Sequence, residues 1–293
     1  MKQNSALTWL VPLMAVLGII LAGFGFFSQG GDGPSSFTTV YGNAVEIYGK
    51  GIYQHDSTFV ATLFRGTDFV TLFMGLPLLA VGYWLYRRHS LRGSIFLIGM
   101  ILYFLYVGVT YTFSLIFNSL FLVYTALFCT GLFSTIIALT TFDIQDLASR
   151  VTSGMPRRGI AIFMFVAGIG TLFLWLSELI GPLMTGQAPA NLGPYTTMFT
   201  HGFDSAVITP ATLITGVYLL NRKPLGYLLA APLLILCSMI GVTVISQTIY
   251  QATEGITFPI GVYIGMIGSW VVMGAFAIGL VIRFFQNISE SVQ

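Results

Sequence analysis

The chain has 293 residues, of which 56% are hydrophobic and 8% charged, and it carries a formal net charge of +2. Soluble domains are about a quarter charged, so this composition excludes a water-soluble globular fold and points to an integral membrane protein. The 12 Lys and Arg residues are scattered in short segments, which excludes a nucleic-acid groove built on a basic patch.

A helix needs about 20 apolar residues to cross the hydrocarbon core. Uncharged runs of that kind lie near 6–27, 67–86, 94–114, 119–141, 159–183, 203–220, 227–249 and 258–282. No segment alternates over ten residues as barrel strands do. The prediction is an all-α transmembrane bundle of eight helices.

The first run follows Lys2 as a secretory signal would, but it lacks a small-residue cleavage site before "SQGGDGPSS", so it is expected to remain as a helix. The loop 28–65 begins with that Gly/Ser-rich stretch, expected to be mobile. It ends in "YGNAVEIYGKGIYQHDSTFVATLFRG", which reads either as a cap over the bundle or as a spacer. The second run is headed by Asp68 in "FRGTDFVTLF". An Asp at a helix start can accept from unpaired backbone N–H groups and meet the positive end of the dipole. Its other reading is a carboxylate that binds a cation or an amine.

The third run carries Tyr103, Tyr106, Thr110 and Ser114 in steps of three, four and four, which places the hydroxyls on one stripe. Such a stripe serves helix contacts or lines a cavity that Tyr111 and Asn118 would extend. Glu178 lies in the last turns of the fifth run, where the dipole disfavours a negative charge. A carboxylate in the bilayer needs a partner or a wet cavity, and Arg65 is the expected partner.

His201 and Asp204 open the sixth run in "THGFDSAVIT". Together with Glu178 and His55 they have the residue types of a divalent-metal site, without a known spacing. No histidine falls in mid-span, which disfavours haem. Thr209, Thr212 and Thr215 follow, then Ser246 and Gln247 in the seventh run, and Gly261 and Gly265 form a GxxxG in the eighth, expected to mark close packing within the chain or between copies. Cys129 and Cys237 lack a CxxC spacing and are expected to be small packing residues.

Lys and Arg favour the cytoplasmic side. With eight spans, one face holds Lys2, Arg87, Arg88, Arg92, Arg150, Arg157, Arg158, Arg222, Lys223 and Arg283, and the other holds Lys50 and Arg65. Both termini are therefore expected in the cytoplasm. The second half also echoes the first: Asp68 with Asp204, Pro77 with Pro210, Gly82 with Gly216, Gly93 with Gly226 and Tyr124 with Tyr263. This predicts two four-helix repeats in parallel orientation, 1–148 and 149–293, with Asp68 and Asp204 at one shared doorway.

"YGKGIYQHDS", "GTDFVTLFMGLPLL", "FNSLFLVYTALF" and "PLGYLLA" resemble a group of multi-span bacterial membrane proteins in which a Tyr/Gly/Asp segment precedes an Asp-headed helix. The resemblance implies a bacterial inner membrane and brings no activity, cofactor or substrate.

No GxSxG, HExxH, Walker loop or dinucleotide fingerprint occurs. The expected function is a transporter or permease-like binder of a small molecule or cation at an outer vestibule. Its candidate residues are Glu178, Asp204, Asp68, Arg65, His201, Tyr103, Tyr106, Asn118 and Gln247. The alternatives are a sensor, assembly factor or partner subunit that docks through the outer loop, and an intramembrane enzyme using a metal or a carboxylate pair. Expected partners are the lipid bilayer, that ligand, and a second copy or another membrane subunit; nucleic acid is not among them.

Overall fold

A computed structural model describes residues 4–290, so Lys2 and the extreme termini lie outside the described residues. Among the described residues, eight helices are long and apolar enough to cross a membrane: α1 Ser5–Phe27, α2 Thr58–Arg87, α3 Leu91–Ser114, α4 Phe121–Thr141, α5 Arg157–Thr185, α6 Phe199–Leu220, α7 Pro224–Thr253 and α8 Ile260–Gln286. Local chemistry sets several of their starts. Asn4, Ser57 and Ser90 each accept a backbone N–H from the first turn of α1, α2 and α3, and Pro224 opens α7, where a missing N–H is harmless.

Burial orders the bundle. The most apolar stretches of α3 and α7 are 78% and 61% buried, against 11% for α8, so α3 and α7 form the centre. They pack on each other, α2 packs on α7, α4 on α3 and α8 on α7, while α1 packs on α4 and α5 on α6. The α7–α8 crossing is tight because Gly241 and Gly274 face each other; a Cβ on Gly241 would lie 2.7 Å from the Gly274 Cα. Gly66 does the same for α2 against α7, since its Cβ would lie 2.5 Å from the Gln247 Cα. Gly261 and Gly265 have nothing within 4 Å, so that GxxxG makes no close contact within the chain. Cys129 is exposed rather than packed.

One end of the bundle is basic. There Arg92 donates to the Ile288 carbonyl at 2.8 Å and Arg150 to the Glu290 carbonyl at 2.6 Å. The opposite end carries a cap made from residues 28–57, with a hairpin of β1 (Ser35–Thr38) and β2 (Ala44–Ile47). The Gly-rich start of the cap is tied down, contrary to expectation: Gly33 N–H donates to the Gly49 carbonyl at 3.0 Å and Gly51 N–H to the Gly30 carbonyl at 2.7 Å. The cap is fastened to the second half by Lys50 on Glu254 at 2.9 Å. It is fastened again by Asp56, whose Oδ1 accepts from Tyr195 Oη at 3.0 Å and from Ile116 N at 2.9 Å.

Helix α2 begins at Thr58, nine residues before the run read from hydropathy. Arg65 interrupts the apolar run, yet its guanidinium donates to the Phe26 carbonyl at 3.3 Å, in the last turn of α1, where a cation suits the dipole. Asp68 is consequently eleven residues into its helix, and Asp204 six into α6. Neither caps a helix, and the capping interpretation of both is overturned.

The backbone carries similar local features in the two halves of the chain. α2 widens into a π-helical turn at Thr71–Gly75 before Pro77, and α6 does so at Asp204–Ile208 before Pro210. Such a turn takes up the carbonyl that a helix-interior proline leaves without its donor. His89 and Arg222, in the following hairpins, both have positive φ, 59° and 54°. These pairs share one spacing of 133 residues, and in that register Asp204 stands opposite Thr71 rather than Asp68.

Candidate functional site

A cavity of about 540 Å³ lies between α2 and α3 on one side and α5, α6, α7 and α8 on the other. It starts at the cap end beside Tyr195 and Phe258 and reaches Tyr103 and Ile240, which lie near the midpoints of α3 and α7. The stripe Tyr103, Tyr106, Thr110 and Ser114 lines it, as does Gln247, whose Nε2 donates to Thr67 Oγ1 at 3.0 Å.

Its polar wall is built by α5 and α6. Trp175 and Glu178 lie one turn apart on α5, and His201 and Asp204 one turn apart on α6, so the two pairs meet rung by rung. His201 Nε2 lies 3.0 Å from Glu178 Oε2, and Trp175 Nε1 donates to Asp204 Oδ2 at 3.1 Å. The Trp175 and His201 rings lie 4.0 Å apart between these contacts. Asp204 Oδ1 accepts from Tyr106 Oη at 3.2 Å, so both carboxylate oxygens are held by neutral donors. Trp270 of α8 closes the side, its ring 6.1 Å from that of Trp175.

Several expectations fail here for geometric reasons. Glu178 pairs with His201 and not with Arg65, which is turned to the end of α1. Asp68 and Asp204 do not share a doorway: Asp68 is fully buried, and Tyr53 and Tyr111 each donate to it at 2.7 Å, while Asp204 faces the cavity. Tyr111 belongs to that sealed cluster. Asn118 caps the turn into α4, accepting from Leu120 N at 3.0 Å, and lines no part of the cavity. Thr209 and Thr212, by contrast, serve the helix contact expected of such threonines: Thr209 donates to the Gly168 carbonyl of α5, and a Cβ on Gly168 would meet Thr212. His55 is exposed in the cap, away from His201. Among the described residues no three His, Cys, Asp or Glu side chains converge closely enough to hold a metal ion.

Sequence alone does not single out Trp175, Trp270 or Gln251, although the Trp-x-x-Glu step on α5 mirrors the His-x-x-Asp step on α6. Gln251 is 3% exposed and lines the cavity, and its Nε2 has no hydrogen-bond partner; the Ser114 hydroxyl beside the cavity is likewise unpartnered.

Taken together, the eight apolar helices and the chamber among them define a multi-pass membrane protein with an internal cavity. No family model, curated protein or solved structure matches the chain.

Proposed function

We propose that this chain binds a small molecule within the membrane, in the cavity between its two halves, and works as a transporter or permease. The observation that carries this reading is the depth of the cavity, about 540 Å³ extending from the cap to the level of Tyr103 and Ile240. Drug-sized ligands occupy cavities of roughly 300–1,000 Å³ lined by apolar and aromatic groups with a few placed polar ones. The shared spacing of the π-turns, the prolines and the positive-φ hairpin residues supports two repeats of parallel orientation. A site between related halves can be exposed to either side by rocking one against the other.

In this reading the basic end faces the cytoplasm of a bacterial inner membrane and the capped end faces outward. A second reading, docking of another protein on the cap, rests on the hairpin tip, where Val40 is 94% and Tyr41 58% exposed.

The test is saturable ligand binding by the purified chain, followed through Trp175 and Trp270 fluorescence. Thr243→Trp, which fills the deep end, should abolish it. Binding unaffected by that substitution would place the ligand elsewhere.

A further inference from the structure

Charge and shape in the cavity narrow the class of molecule it takes. Its walls are aliphatic and aromatic, and among the described residues that line it there is no Lys or Arg. The ionisable groups facing it, tyrosines aside, are Glu178, His201 and Asp204. Glu178 is matched by His201. Asp204 makes no ion pair of its own, since its hydrogen bonds come from the Trp175 indole and the Tyr106 hydroxyl and His201, one turn away, contacts Glu178. A carboxylate removed from water either takes up a proton or is stabilised by a cation beside it, and Asp204, unlike the sealed Asp68, faces a cavity that a cationic ligand can enter.

The surroundings of Asp204 suit an organic cation better than a hydrated metal ion. Trp175 and Tyr106 reach it through their N–H and O–H groups, Trp270 lies beside Trp175, and all three rings line the cavity; aromatic rings attract cations most strongly where water is excluded. A metal ion would need further oxygen or nitrogen ligands, and no third metal-binding side chain converges there among the described residues. Independently of the acids, the unpartnered Gln251 Nε2, a buried donor on the cavity wall, calls for an acceptor, because an unmade buried hydrogen bond is costly.

We infer that the cavity takes a monovalent organic cation with a largely apolar body, an amine or a quaternary onium compound, with Asp204 facing its charge and Gln251 available to an acceptor on its body. This inference rests on the binding role proposed for the cavity.

The experiment uses the purified full chain in detergent and three probes of similar shape: tetraphenylphosphonium, tetraphenylborate and neutral triphenylphosphine oxide. Equilibrium dialysis against protein-free micelles isolates the saturable part. The phosphonium should bind one per chain and at least tenfold more tightly than the borate, and Asp204→Asn should weaken it about tenfold. Trp270→Leu, on the little-buried α8, should weaken the phosphonium more than the oxide, which guards against misfolding of the Asp204 variant.

If the borate or the oxide binds as tightly as the phosphonium, or if Asp204→Asn leaves the phosphonium affinity unchanged, the cation class is overturned. In that case loss of binding in Thr243→Trp would still uphold the cavity as the site. Absence of saturable binding by all three probes would overturn both.

Discussion

Glu178 and His201 lie 3.0 Å apart across α5 and α6, and one turn deeper the indole of Trp175 donates to Asp204. The two contacts share helices and a Trp175–His201 ring contact at 4.0 Å, so each should hold the other in place. Residues in one such network are energetically coupled, by about 0.5–3 kcal/mol in double-mutant cycles. Glu178→Gln and Trp175→Phe should each lower the melting temperature in detergent, and the double variant should lose clearly less than the sum. Additive losses would show that the rungs act independently.

Asp68 makes a different kind of contact. With Tyr53 and Tyr111 each donating at 2.7 Å and Gly25 packed against its carboxyl group, it serves as a buried acceptor that ties the cap to α2 and α3. Asp68→Leu leaves the Tyr53 hydroxyl without an acceptor and Tyr111 with the Phe64 carbonyl at 3.2 Å alone, at about 1–3 kcal/mol for the unpaired group. Asp68→Asn keeps one acceptor and should cost less. Ligand binding should survive Asp68→Asn, because the residue lies outside the cavity. Equal melting temperatures for the Leu and Asn variants would remove this role.

The cap should respond to pH through Asp56. Burial raises its carboxyl group to about 7, against the hydrogen bonds from Ile116 N and Tyr195 Oη that lower it. In the unfolded chain it titrates near 3.9, so the folded cap holds the proton more tightly. The associated stability is fully present below about pH 4, falls as pH rises, and is lost above about pH 7. Hydrogen exchange of the cap amides should quicken from pH 5 to pH 8 beyond the intrinsic rate increase. Asp56→Asn keeps the acceptor without the charge and should abolish the excess, while the neighbouring His55 is exposed. A wild-type slope in the Asn variant would assign the effect to another group.

The proposed sidedness rests on where the bases lie. In a cysteine-free background, Lys50→Cys in the cap should react on intact cells with a membrane-impermeant maleimide, and Lys223→Cys should react only after lysis. The reverse pattern would invert the proposed orientation.

Length and hydropathy make the eight helices legible, because about 20 consecutive apolar residues match the thickness of the hydrocarbon core. They mislead where a charge is locally satisfied: Arg65 marks a false loop since its acceptor, the Phe26 carbonyl, is 39 residues away. The hydroxyl stripe of α3 is legible from its spacing. The sealing of Asp68 is not, because Tyr53 and Tyr111 come to it from the cap and from α3 with no periodic signal. Counting available bases assigns Glu178 to Arg65, whereas matched steps of three on α5 and α6 are the feature that bears on its partner. Asp68 and Asp204 look alike in sequence, yet one is sealed by two tyrosines and the other faces the cavity, so two similar Gly-x-Asp motifs occupy unlike environments.

The most direct test of the cavity is whether it can be entered from the capped end. Single cysteines at Thr110, Thr243 and Gln247, placed one at a time in the cysteine-free chain, should react with a small charged thiosulfonate supplied from that end. A saturating ligand should slow the reaction, and Thr215→Cys, fully buried in α6 and outside the cavity lining, should stay unreactive. Cavity cysteines as inert as the one at position 215 would contradict a chamber reached from that end.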